Sequence, residues 1–423
     1  MFDCLPRETK DTSVLDCAPN DRHDDQLEAS SGVADLDQQS AVVRFRSLML
    51  SQFRSYGAVT LDLDPASPMV VLTGENGAGK TNLLEAISFY APGRGMRSSG
   101  LLDVCKVGSG QPWAVAAEIV IGDSVERIGT GLDPDGFRQE STTAKRIVRF
   151  EGESHSPNML APKLTVSWLT PQMDRLFTEA PSSRRNFLDR LVLGLYPDHS
   201  RQVSAYERVM RERNKLLSEQ GMRADTSWLK VLEAQMAEHA TAVALARLDF
   251  TGQLAGLIEE TSDDTSAFPK ALLSLDGVLE GQLNDGMTAS DVEQHYREAL
   301  MAARAVDAQK GRASIGPHKT DLLVTHAPKD MPAGLCSTGE QKALLINLIL
   351  ANARLKKMLT GTAPVLLLDE IAAHLDAHRR AALFDALFDL GGQCWMTGTD
   401  KSLFSALDGQ AQFFSVQAGK ISQ

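Results

Sequence analysis

Residues 69–90 read as a short apolar strand, a glycine-rich loop and a helix in unbroken succession. Met69-Val70-Val71-Leu72-Thr73 leads into Gly74-Glu75-Asn76-Gly77-Ala78-Gly79-Lys80-Thr81, and Asn82 to Tyr90 follows as a helix. The eight central residues fit the spacing GxxxxGK[ST], in the strand-to-helix setting that gives the motif its meaning. Small residues let successive backbone N–H groups converge on phosphate oxygens, and the positive end of the following helix points at the same anion. Lys80 is then placed to neutralise the β- and γ-phosphates. The Thr81 hydroxyl is placed as a ligand to Mg²⁺, which favours oxygen donors, and Asn82 opens the helix beside it. By average residue usage such a match arises by chance about once in a hundred chains of this length. The expected fold class is therefore α/β, with a P-loop for ATP.

A second segment completes this reading. Pro364-Val365-Leu366-Leu367-Leu368-Asp369-Glu370 is a continuous apolar run ending in two carboxylates, as in a parallel strand buried on both faces. Alone the pattern is weak; paired with the P-loop it reads as Walker B. Asp369 would hold Mg²⁺ and Glu370 would orient or deprotonate the attacking water. Upstream, Ser337-Thr338-Gly339-Glu340-Gln341 is at least a good helix N-terminus. Its place one helix before Walker B matches the ABC signature, which binds the γ-phosphate of ATP held by another subunit. Leu375 and Asp376 match the D-loop of that superfamily. Gln172, in LTPQMDR, is either the Q-loop residue that senses Mg²⁺ and water or an ordinary loop residue. The switch histidine of transporter ATPases is missing, since Met396-Thr397-Gly398-Thr399-Asp400 stands there.

The formal charge of -12 argues at first against nucleic acid, because phosphate contacts need Lys and Arg. Its distribution weakens that objection. Residues 1–40 hold ten acids against three bases and show no periodicity, which reads as a disordered acidic extension. The remainder is only mildly acidic, and a local basic surface is compatible with it. The five cysteines are widely spaced with no CxxC pair, so they are expected reduced. No run of about eighteen apolar residues and no signal-like order is present, which places the chain in the cytoplasm. Along the chain, 41–180 reads as the N-terminal part of an ATPase lobe. It carries the P-loop and a mixed β subdomain built from WAVAAEIVIGD, KRIVRFEG and LTVSWL. Residues 181–306 read as an inserted helical lobe with a loop-rich excursion at 261–290, and 307–423 as the C-terminal part of the ATPase lobe.

Several phrases in order resemble one family. FRSLMLSQFRSY, GENGAGKTNLLEAI, PSSRRNFLDRL, RERNKLL, GPHKTDLL, STGEQKALL and LLLDE are similar to motifs of the RecF family, whose heads are P-loop ABC ATPases of the SMC/Rad type. The resemblance covers nearly the whole chain after residue 40. It implies an ATP-dependent homodimer that binds double-stranded DNA at gaps, near single-stranded DNA, and with RecR and RecO helps load RecA. It also implies slow, DNA-stimulated ATP hydrolysis and a role in DNA repair, replication restart and the SOS response. By the same resemblance Arg54 approaches the nucleotide phosphates, and Arg184, Arg185, Arg213 and Lys319 occupy basic motif positions for DNA. Arg184 and Arg185 could equally form a structural ion pair with Asp189. His318 is expected to be fold-forming or interface-bound. The rival readings are another SMC-like head, which would need a long heptad arm that is absent here, and an ATP-gated DNA clamp with negligible turnover.

Overall fold

The computed structural model describes residues 42–138, 144–161, 163–261 and 266–423. The acidic extension expected at 1–40 lies outside them. Residues 39–423 form one compact unit.

At its centre is a six-stranded sheet in the order β15-β14-β3-β13-β12-β8. Its members are β3 (Met69–Thr73), β8 (Val166–Leu169), β12 (Val365–Leu368), β13 (Cys394–Gly398), β14 (Ala411–Gln417) and β15 (Lys420–Ser422). All neighbours are parallel except the β14–β15 hairpin. The two-residue period of the strands divides their side chains between two cores. Met69, Val71, Leu366 and Leu368 enter one, with α3 (Pro181–Leu193), α8 (Thr338–Thr360) and α9 (Ala377–Leu390). Val70, Leu72, Val365 and Leu367 enter the other, with α1 (Lys80–Ser88). Burial on both faces is why these strands read as uninterrupted apolar runs, and each such side chain contributes about 1.5–3 kcal/mol.

The second core is closed by an antiparallel sheet in the order β2-β1-β4-β5-β6-β7. It comprises β1 (Val43–Phe53), β2 (Tyr56–Asp62), β4 (Ala114–Ile121), β5 (Ser124–Leu132), β6 (Arg146–Phe150) and β7 (Glu153–His155), with the short α2 (Pro134–Arg138) after β5. LTVSWL, expected in this subdomain, is instead β8, paired in parallel with Walker B strand β12. Its four strand residues are all buried, as an edge strand covered on both faces must be. Arg146 of β6 donates to the carbonyls of Phe89, Ala91 (3.2 Å) and Gly93 (2.7 Å), which ties the chain leaving α1 to this sheet.

The remaining helices are α4 (His199–Gln220), α5 (Thr226–Thr261), α6 (Val278–Asn284) and α7 (Ala289–Lys310). Helices α4, α5 and α7 enclose a core of Tyr206, Val209, Leu232, Met236, Tyr296 and Leu300. The loop-rich excursion expected at 261–290 is corrected. It contains β9 (Ala271–Asp276) and α6, and β9 pairs antiparallel with β10 (Asp321–His326), which pairs in turn with β11 (Met331–Pro332). A six-residue strand with a partner about fifty residues away leaves little local signal. Among the described residues no helix is long and apolar enough to cross a membrane.

Candidate nucleotide site

The P-loop turns at the C-terminal end of β3 and is pinned from three sides. Gly74 has φ +149, and a Cβ there would stand 2.2 Å from the Val416 carbonyl of β14, so only glycine fits. Gly79 has φ +117 and is crowded by Tyr56, whose Oη donates to the Gly79 carbonyl at 3.0 Å. The Gly419 N–H donates to the Ala78 carbonyl at 3.1 Å. These contacts hold the loop in a phosphate-receiving shape. Lys80 lies across it, donating to the carbonyls of Gly74 (2.7 Å) and Glu75 (2.9 Å). Burial lowers its pKa, and the carboxylates of Glu370 and Asp369 oppose that shift.

Thr81 and Asp369, far apart in sequence, meet here: the Thr81 hydroxyl donates to Asp369 Oδ1 at 3.0 Å. Asp369 is 6% exposed, and burial raises its pKa against the hydrogen bonds from Thr397 and Thr81 that favour its charge. Two adjoining cavities of about 180 and 210 Å³ flank this contact. Thr81, Arg97 and Glu370 line both. The first adds Asn76, Gly77, Gly79, Lys80 and Asn82; the second adds Gln172, Thr170 and Asp369. Glu75, Asn76 and Gly77 are exposed at the rim, as a phosphate-accepting face must be. A hydroxyl and a carboxylate in contact, open to a cleft, are hard oxygen donors suited to Mg²⁺ shared with phosphates. Among the described residues there is no cluster of three or more His, Cys, Asp or Glu that would form an all-protein metal cage.

Ser337 N-caps α8 through a capping box with Glu340, and Lys329 pairs with the same carboxylate. These hydrogen bonds hold the Glu340 carboxyl down at about 2. Ser337, Thr338 and Gly339 are exposed, while Gln341 is buried and donates to the Cys336 carbonyl at 2.8 Å. Leu375 is buried, and Asp376 caps α9 by accepting from the Arg379 N–H at 2.8 Å. Of the described residues lining the two cavities, none comes from 337–341 or 375–376.

The basic positions fare differently. Arg54 is committed away from the phosphates: it forks onto Glu85 at 2.9 and 2.6 Å and donates to Ser99 and the Asp103 carbonyl. The guanidinium that does line both cavities is Arg97, which the sequence reading missed. It donates to Asn82 Oδ1 at 2.9 Å and to Glu85 at 3.1 Å. It lies in an irregular loop, where no periodicity marks it. Arg213 is corrected from a DNA contact to a core residue. It is fully buried and bonded to Glu233 (3.1 Å), Asp307 (2.8 Å) and the Leu300 carbonyl (2.7 Å). Arg184 forks onto Asp321 at 2.8 and 2.7 Å, rather than Asp189, whose partners are Arg247 and His199. Arg185 is half-buried on the Thr320 carbonyl. Lys319 alone of the four is exposed. His318 is fold-forming, bonded to Tyr206 at 2.7 Å and to the Ala313 carbonyl at 3.1 Å.

The model of the RecF/RecN/SMC N terminal domain family matches residues 44–422. A DNA replication and repair protein RecF from Rhizobium rhizogenes is 52% identical over 377 residues, covering 89% of this chain and 97% of the relative. The protein of that name from Brucella suis is 48% identical over 384 residues, with coverage of 90% and 96%. Among solved structures, the recombination mediator protein RecF-ATP in the RecFOR pathway superimposes with a TM-score of 0.76. It is 19% identical, with 90% of this chain and 99% of that chain covered.

Proposed function

The chain belongs to the RecF family of the RecF/RecN/SMC N-terminal-domain proteins, and on that premise we propose that it is an ATP-hydrolysing, ATP-dependent DNA-binding protein of recombinational repair. ATP would seat its phosphates on the P-loop, with Lys80 released from the Gly74 and Glu75 carbonyls to meet the β- and γ-oxygens. Thr81 and Asp369 would hold Mg²⁺, which supplies charge neutralisation at those phosphates. Glu370 and Gln172, both lining the cavity beyond Thr81, would orient the attacking water, with Glu370 as base. Arg97 would add a positive charge from the same chain.

The carrying observation is the separation of the two halves of the site. The exposed start of α8 at Ser337–Gly339 contributes nothing to the cavities of its own chain. A helix N-terminus exposed in this way suits the γ-phosphate of ATP on a second copy. The proposed working form is therefore a homodimer with ATP sandwiched between copies, closing on duplex DNA at gaps, acting in the cytoplasm with RecR and RecO to promote RecA loading.

Fluorescence anisotropy of a labelled gapped duplex, titrated with the full chain, tests this reading. Binding should tighten at least about tenfold when ATP and Mg²⁺ are added and weaken steeply with salt. Equal affinity with and without ATP would remove nucleotide gating from the proposal.

A further inference from the structure

Strand β13 lies between the strand that leads into the P-loop and the strand that ends in Asp369-Glu370, hydrogen-bonded to both. Thr397, its fourth residue, is fully buried opposite Leu72 of β3. The Thr397 hydroxyl donates to Asp369 Oδ1 at 2.7 Å and accepts from the Glu370 backbone N–H at 2.8 Å. The directions follow from chemistry alone. An amide N–H can only donate, so the single hydroxyl proton goes to the carboxylate.

Glu370 needs such an anchor. Its backbone stands at φ +50 and ψ +30, a left-handed conformation that is unfavourable for a residue with a Cβ by about 1–2 kcal/mol. That conformation aims the Glu370 side chain into the cleft that Asp369 and Thr81 share. Asp369 Oδ1 accepts from both Thr81 and Thr397. When the Thr81 oxygen turns to a cation, Thr397 is the hydroxyl that continues to fix the carboxylate.

The geometry points to Thr397 as a positioning residue that locks the metal-holding carboxylate of Asp369 and the water-orienting Glu370 into one rigid unit. It is fully buried, lines neither cavity and acts through these two residues. The inference rests on the ATPase reading above. It assigns to a hydroxyl on β13 a task that no motif in the sequence marks, at the strand where transporter-type heads carry their switch histidine.

The test compares Thr397→Val, which keeps the shape and removes the hydroxyl, with Thr397→Ser, which keeps the hydroxyl. Mn²⁺ binding to the full chain with a non-hydrolysable ATP analogue is read by electron paramagnetic resonance, and steady-state ATP hydrolysis is measured in parallel. In Thr397→Val, Mn²⁺ affinity and kcat should each fall about 10-fold or more, as when the partner that orients a metal ligand is lost. The KM for ATP should move less than about twofold, because phosphate seating on the P-loop is untouched. Thr397→Ser should recover both quantities. If Thr397→Val does not fold, Thr397→Ala carries the same comparison. Wild-type Mn²⁺ affinity and kcat in Thr397→Val would overturn the proposal. Equal impairment of Thr397→Ser would overturn it too, since keeping the hydroxyl would then not be enough to hold Asp369 and Glu370. A wild-type protein that neither binds Mn²⁺ with the analogue nor hydrolyses ATP would sink the ATPase reading, and this inference with it.

Discussion

Glu370→Gln should retain ATP while hydrolysing it about 10²–10⁴-fold more slowly, the usual contribution of a positioned general base. The side chain lines both cavities around Thr81, and glutamine preserves its size and its reach to water while removing the proton acceptor. The backbone anchor from the Glu370 N–H to Thr397 is unaffected by the change, so the variant should fold and unfold as the wild type does. Single-turnover hydrolysis measured beside equilibrium binding of a fluorescent ATP analogue separates chemistry from affinity. Unchanged turnover would move the base elsewhere in the cleft, where Asp369 is the other carboxylate among the lining residues.

Arg213→Ala should cost about 3–5 kcal/mol of folding stability, because it leaves two buried carboxylates without their shared cation. Glu233 and Asp307 are each 1% exposed. Arg304 still reaches Glu233, at 2.9 and 2.5 Å, whereas Asp307 keeps, among the described residues, the Ser314 amide and hydroxyl. The loss should appear as a lower urea midpoint with little change in slope. DNA affinity of the folded fraction should stay at the wild-type level, since the guanidinium never meets solvent. A wild-type midpoint together with weakened duplex binding would return Arg213 to the role its motif suggests.

The arginine positions show where sequence reasoning stops. Arg213 sits in a cation-rich run, RERNKLL, that invites a phosphate-binding reading. Yet it falls four residues after Val209 and four before Leu217, both buried, so helical spacing already placed it on the inner face of α4. Its acidic partners lie on α5 and α7, far along the chain, and nothing local announces them. Arg97 and Arg54 make the converse case. Both reach Glu85 of α1, but only the arginine from the irregular loop also opens onto the cleft, and that difference is set by tertiary packing. The P-loop, the apolar strand ending in Asp369-Glu370 and the capped start of α8 were readable because each is a local pattern with its own mechanism. The convergence of the first two was readable too, since β3 and β12 are buried strands of one parallel sheet. The pairing of β9 with β10, the membership of β8 in that sheet and the bridge through Thr397 were not readable. Each is a contact between segments distant in sequence, and no local pattern names the partner.

The most direct test of the sandwich is molecular mass by light scattering, on Glu370→Gln with and without ATP and Mg²⁺, alone and combined with Ser337→Arg. The account predicts a 45.9 kDa species without nucleotide, twice that mass with ATP, and no shift in the double variant although ATP is still bound. A dimer that forms without ATP, or one that persists when Ser337 is replaced, would contradict it.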